Sequence, residues 1–104
     1  MKRVEDIQPI EPFPGFKGRF VHGDRSTLSF WNIKKGSVMP EHHHVHEQIT
    51  HILEGELEML IGGVKYVFTS GMVHVIHSNV PHSAVALKDC IVIDSFSPVR
   101  NNYE

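Results

Sequence analysis

The sequence predicts an all-β domain, a sandwich or barrel of short strands. Prolines at 9, 12, 14, 40, 81 and 98 and glycines at 15, 18, 23, 36, 55, 62, 63 and 71 leave few windows of helical length. Between these breakers lie short runs that alternate in polarity or are rich in β-branched residues. Turn signals recur about every 8–12 residues, the spacing of a sandwich or barrel.

Residues 1–16 read as a proline-rich, irregular arm, the barrel spans about 17–97, and 98–104 form a short tail. Within the barrel, Thr27–Ile33 is a strand ended by Lys34-Lys35-Gly36. Gln48–Leu53 is another, followed by a tight turn at Glu54-Gly55 and a returning strand, Glu56–Ile61. In that strand Leu57, Met59 and Ile61 share one face, and Glu56, Glu58 and Leu60 the other. Gly62-Gly63 is a hairpin turn of the type that needs positive φ. The runs 64–68, 72–76, 82–87 and 91–96 complete the set.

At 104 residues there is one domain with one modest core. Ten Lys and Arg face twelve Asp and Glu, a formal charge of −2, which offers neither a nucleic-acid surface nor a polybasic membrane patch. No apolar stretch approaches the ~20 residues of a membrane-spanning helix, and no signal peptide is evident, so a cytoplasmic location is expected. The single cysteine, Cys90, lies in an apolar run and reads as a small buried hydrophobe. Histidine is the outlier: nine in the chain, with His42, His43, His44 and His46 together.

In an extended strand, residues of like parity share a face. His42, His44, His46 and Gln48 then project one way, and His43, Val45 and Glu47 the other. Two imidazoles at i and i+2 stand close enough to bind one metal ion, with His46, Glu47 and Gln48 as competing further donors.

The wider spacing resembles the cupin family. Gly36 is followed by five residues, His42, one residue, His44, three residues, Gln48, six residues and Gly55, which resembles the first cupin motif; a glutamate usually stands where Gln48 does. Gly71 and Pro81-His82 resemble the second motif, with His77 and Ala86 departing from it. The resemblance covers about residues 20–98 and implies a cupin double-stranded β-helix, a jelly-roll-like barrel. It implies His42, His44, Gln48 and His82 as ligands of one divalent transition metal ion: Mn, Fe, Co, Ni or Zn. Three neutral imidazoles and a neutral amide would leave the ion its full charge. That favours Lewis-acid chemistry over redox chemistry and speaks against a dioxygenase.

The segment 42–50 (HHHVHEQIT) and the late Asp94-Ser-Phe96-Ser-Pro-Val-Arg100 resemble, more narrowly, the pectin-degradation cupins, which linearise 4,5-unsaturated uronates. That likeness implies Asp94 and Arg100 as catalytic residues, Phe96 as a pocket wall, and an acidic sugar as the small-molecule partner. Arg19 and Trp31, on early strands, are further candidates for substrate contact. His46, His74 and His77 are candidates for the outer part of the pocket, His51 is expected to face outward, and His22 and His43 carry no functional signal. The alternatives are another cupin sugar isomerase or dioxygenase, or a non-enzymatic small-molecule-binding cupin. Exposed sheet edges and apolar outer faces suggest a homodimer.

Overall fold

The computed structural model describes residues 1–101. A 3-10 turn at Val4–Asp6 precedes ten strands among the described residues: β1 (Ile10–Phe13), β2 (Phe16–His22), β3 (Thr27–Ile33), β4 (Val38–His42), β5 (Glu47–Glu54), β6 (Glu56–Ile61), β7 (Val64–Thr69), β8 (Val73–Ile76), β9 (His82–Ala86) and β10 (Cys90–Ser97). They form a six-stranded sheet, β1-β2-β3-β10-β5-β8, and a four-stranded sheet, β4-β9-β6-β7, with antiparallel pairing throughout.

Alternation places the core. Leu57, Met59 and Ile61 of β6 are buried, as are Ile52 of β5 and Val92 of β10, so the facing sheets close on one apolar interior. Ile52 is fully buried, and truncating it to alanine would cost about 2–5 kcal/mol. The β6–β7 turn has Gly62 at φ 57° and Gly63 at φ 81°, the positive pair that a tight hairpin requires. At Gly55 a Cβ would overlap the Asp89 carbonyl, so only glycine fits between the β5–β6 and β9–β10 connections. Cys90 is buried beside it, its thiol donating to the Glu56 and Lys88 carbonyls, and burial pushes its pKa up.

Three strands depart from the expectation. The arm is not irregular throughout: β1 pairs with β2 despite Pro12, because an edge strand tolerates a residue with no N–H. β4 contains Pro40 and is likewise an edge. In β2 the inward series runs Phe16, Gly18, Phe20, and Gly18 interrupts the apolar alternation. A Cβ at Gly18 would stand 2.8 Å from the Trp31 ring, so its bareness makes room for the indole.

β10 lies between β3 and β5, hydrogen-bonded to both. Asp94 faces Ser29 on one side and Thr50 on the other; Phe96 faces Thr27 and Gln48. Across the interior, β9 brings His82 opposite His42 of β4. The site is built from these two meeting faces.

Candidate metal centre and acid site

His42 ends β4, His44 lies in the loop that follows, and His82 begins β9. One nitrogen from each ring lies within 4.8 Å of the other two. The opposite edge of each ring is tied to backbone: His42 Nδ1 to the Pro40 carbonyl at 3.1 Å, His44 Nδ1 to the His46 carbonyl at 2.9 Å, and His82 Nδ1 to the Val80 carbonyl at 2.9 Å. A carbonyl only accepts, so each Nδ1 carries the hydrogen and each Nε2 presents a lone pair. His82 Nε2 is buried with no hydrogen-bond partner.

Burial is the main cause that lowers the pKa of all three rings; His44 is pushed down to about 4, with Arg100 and His82 adding to the effect. They are neutral at pH 7, as metal ligands must be.

Gln48 is buried on β5. Its NH2 group donates to Thr50 Oγ1 at 2.9 Å, which turns its carbonyl oxygen to within 3.2 Å of His44 Nε2. A neutral Nδ1-protonated imidazole and an amide oxygen are both acceptors there. Two lone pairs converging at this distance, beside the orphaned His82 Nε2, are the arrangement a cation satisfies. The donor set of three imidazoles and one amide therefore fits a first-row divalent ion.

Asp94 is buried against this group, and burial pushes its carboxyl up to about 6. The shift is opposed by hydrogen bonds from Thr50, Gln48 and Trp31 and by the charge of Arg100. Gln48 thus turns its oxygen to the histidines and its NH2 toward Asp94. A glutamate at 48 would set two carboxylates against each other, a physical reason for the departure from the usual motif.

Arg100 is buried, with its guanidinium carbon 4.6 Å from the Phe96 ring centre and its backbone N–H donating to Thr27 Oγ1 at 2.9 Å. Asp94, Phe96, Arg100, His42, Gln48 and Trp31 line one cavity with Thr50, and its other walls are apolar.

Sequence reasoning and structure differ at several residues. The strand parity drawn through 42–48 is broken, because residues 43–46 form a loop; His44 reaches the cluster, while His46 turns its Nε2 to the Val99 carbonyl at 3.2 Å. Glu47 is exposed. Arg19 is not at the cavity: parity puts it on the outer face of β2, where its Nε donates to the Ile7 carbonyl at 3.1 Å. His74 packs against Tyr66 and Phe68, away from the cavity, and His77 is exposed. His43 is exposed, and so is His22, although its ring is bonded to Thr27; His51 is half-buried on the outer face of β5. Sequence reasoning missed Thr50 and Thr27, the hydroxyls that orient Gln48 and Arg100, because a threonine in a strand gives no signal beyond β propensity. Phe13 and Met39, also in the cavity wall, were hidden by neighbouring prolines.

This fold and donor set define a cupin. The Cupin domain family matches residues 29–96, and the chain belongs to that family. It is 32% identical over 104 residues to the pectin degradation protein KdgF of Dickeya dadantii (strain 3937), spanning 96% of this chain and 94% of that protein. The structure of KdgF from Halomonas sp. superposes with a TM-score of 0.90 at 28% identity, covering 98% of this chain and 96% of that one. An RmlC-like cupin from Shewanella frigidimarina gives 0.93 at 27% identity, covering 100% and 95%. Among the described residues no helix is long and apolar enough to cross a membrane.

Proposed function

We propose that this cupin is a metal-dependent enzyme that opens the ring of 4,5-unsaturated uronates, with Asp94 as acid–base and Arg100 as the carboxylate anchor. The observation that carries the reading is the set of three imidazoles, each held at Nδ1 by a backbone carbonyl so that Nε2 presents a lone pair, converging near the Gln48 oxygen beside a buried carboxyl. The similarity to the pectin degradation protein KdgF supports an unsaturated uronate as the substrate class.

His42, His44, His82 and Gln48 would hold the ion. When bound, it supplies a positive charge that polarises a substrate oxygen. Arg100 pairs with the sugar carboxylate through two parallel hydrogen bonds, and Phe96 forms the wall beneath it. The reaction is an isomerisation: the anomeric hydroxyl loses a proton and becomes the aldehyde as the bond from C1 to the ring oxygen breaks, and the electron pair of that bond stays on the oxygen as an enolate. The enolate collapses to a ketone as C4 gains a proton. Asp94, with a pKa of about 6, is suited to both transfers, taking the proton from oxygen and returning one to carbon.

The test mixes metal-loaded protein with the unsaturated uronates released by a pectin or alginate lyase and follows loss of the conjugated ultraviolet absorbance. Acceleration that disappears in Asp94→Ala and His82→Ala supports the reading; an unchanged decay rate sinks it.

The proposed macromolecular partner is a second copy of the chain, on the outer face of the six-stranded sheet. There Leu28, Ile49, Leu53, Val73, Val75 and Ile91 are 39–62% exposed. The outer face of the other sheet carries the ion pairs Glu58–Lys65 at 2.9 Å and Glu56–Lys88 at 3.7 Å. These residues lie on four adjacent strands, β3, β10, β5 and β8, so the apolar side chains share one face of the sheet. Val75→Lys, whose neighbour across the β5–β8 pair is Ile49, should give a monomer by sedimentation. A wild-type protein that sediments as a monomer would remove the proposal.

A further inference from the structure

His46 belongs to the histidine cluster by sequence but not by geometry. Its backbone carbonyl holds His44 Nδ1 at 2.9 Å, while its ring Nε2 donates to the Val99 carbonyl at 3.2 Å. The next residue is Arg100, whose N–H is fixed on Thr27 Oγ1 at 2.9 Å. One residue therefore touches both walls of the site: its main chain orients a candidate ligand, and its side chain holds the segment carrying the guanidinium. As packing alone the imidazole is a poor filler, since its Nδ1 is buried with no partner, a cost an aliphatic side chain would not carry.

We propose that His46 is a positioning residue that couples occupation of the histidine site to the placement of Arg100. The proposal rests on the metal reading above. When His44 Nε2 is engaged, its ring is fixed, and so is the His46 carbonyl that orients it. The loop then presents the His46 side chain to Val99 in one direction, and Val99 and Arg100 are fixed with it. Coupling of this kind runs through contiguous hydrogen bonds and is reciprocal between the two sites. Substrate binding on Arg100 therefore belongs to the metal-loaded protein.

The experiment measures amide hydrogen exchange at Arg100 with and without saturating Zn²⁺, in the wild type, His46→Ala and His46→Gln, with metal stoichiometry determined for each. Zn²⁺ should slow exchange at Arg100 at least tenfold in the wild type. In His46→Ala the ion should still bind, one per chain, and the slowing should be lost. Glutamine places an N–H donor at similar reach, so His46→Gln should restore much of the effect. Equal slowing in the wild type and His46→Ala overturns the proposal, and so does Zn²⁺ uptake with no change at Arg100 in the wild type. Failure of the wild type to take up Zn²⁺ removes the metal reading itself, a result separable from the other two. If His46→Ala does not fold, the comparison of the wild type with His46→Gln decides: full loss of slowing in His46→Gln overturns the proposal.

Discussion

The two walls of the site are held in different ways. On the histidine wall each ring is pinned by a backbone carbonyl: Pro40 for His42, His46 for His44 and Val80 for His82. On the facing wall Asp94 is surrounded by side chains, namely Thr50, Gln48, Trp31 and Arg100. Backbone tethers fix tautomer and direction whatever the neighbouring residues become. Side-chain tethers leave the state of the carboxyl open to substitution. The first wall is built for constant geometry and the second for an adjustable proton.

The largest expected break falls on the first wall. His82→Ala should reduce metal affinity by more than ~100-fold, since loss of outer partners alone costs 10–100-fold. Metal analysis and calorimetric titration check this, and activity should fall with it. On the second wall, Asp94→Asn should leave metal stoichiometry unchanged and lower kcat by ~10²–10⁴-fold, the range for one acid–base group. If metal is lost instead, the walls are not separable. Arg100→Lys keeps the charge but not the paired donors, so KM should rise about tenfold with a smaller change in kcat. Gln48 touches both walls. Gln48→Glu should tighten metal binding and displace the acid limb of the pH–rate profile upward, because a second carboxylate beside Asp94 disfavours its ionisation.

The smallest effect lies in the metal-free protein. Asp94 protonates at about 6 rather than 3.8. Its contribution to stability is whole below the ordinary value and is lost as pH rises through about 6. His44 is the opposite: its contribution is present above 6.5 and is lost as pH falls through about 4. Urea midpoints between about pH 4 and 7 should therefore combine opposed slopes. Asp94→Asn should remove the decline toward higher pH, and His44→Ala should shallow the decline toward acid, to which His42 and His82 also contribute because burial lowers them as well.

The walls were also unequally legible in the sequence. The spacing of His42, His44, Gln48 and His82 marked the first wall, although the strand parity drawn through them does not survive the loop at 43–46. The second wall rested on likeness alone: nothing in the pattern of β10 distinguishes a buried Asp94 from an outward strand residue near a turn. Only pairing with β3 and β5 encloses it. The same holds for the fold. β3, β6 and β10 announced themselves by alternation, whereas β1 and β4 were masked by prolines that edge positions tolerate, and β2 by Gly18. Arg19 shared a strand with pocket residues but not their face, and parity about Phe16 and Gly18 was the available signal that excluded it.

Gly18 has an evolutionary consequence. The indole above it reaches Asp94, so a methyl group added at Gly18 would press on the ring that helps orient the acid. Drift at a residue remote from any reacting atom is therefore closed to the smallest change available. A designer seeking to reshape the chamber would find its firmest boundary at a residue with no side chain.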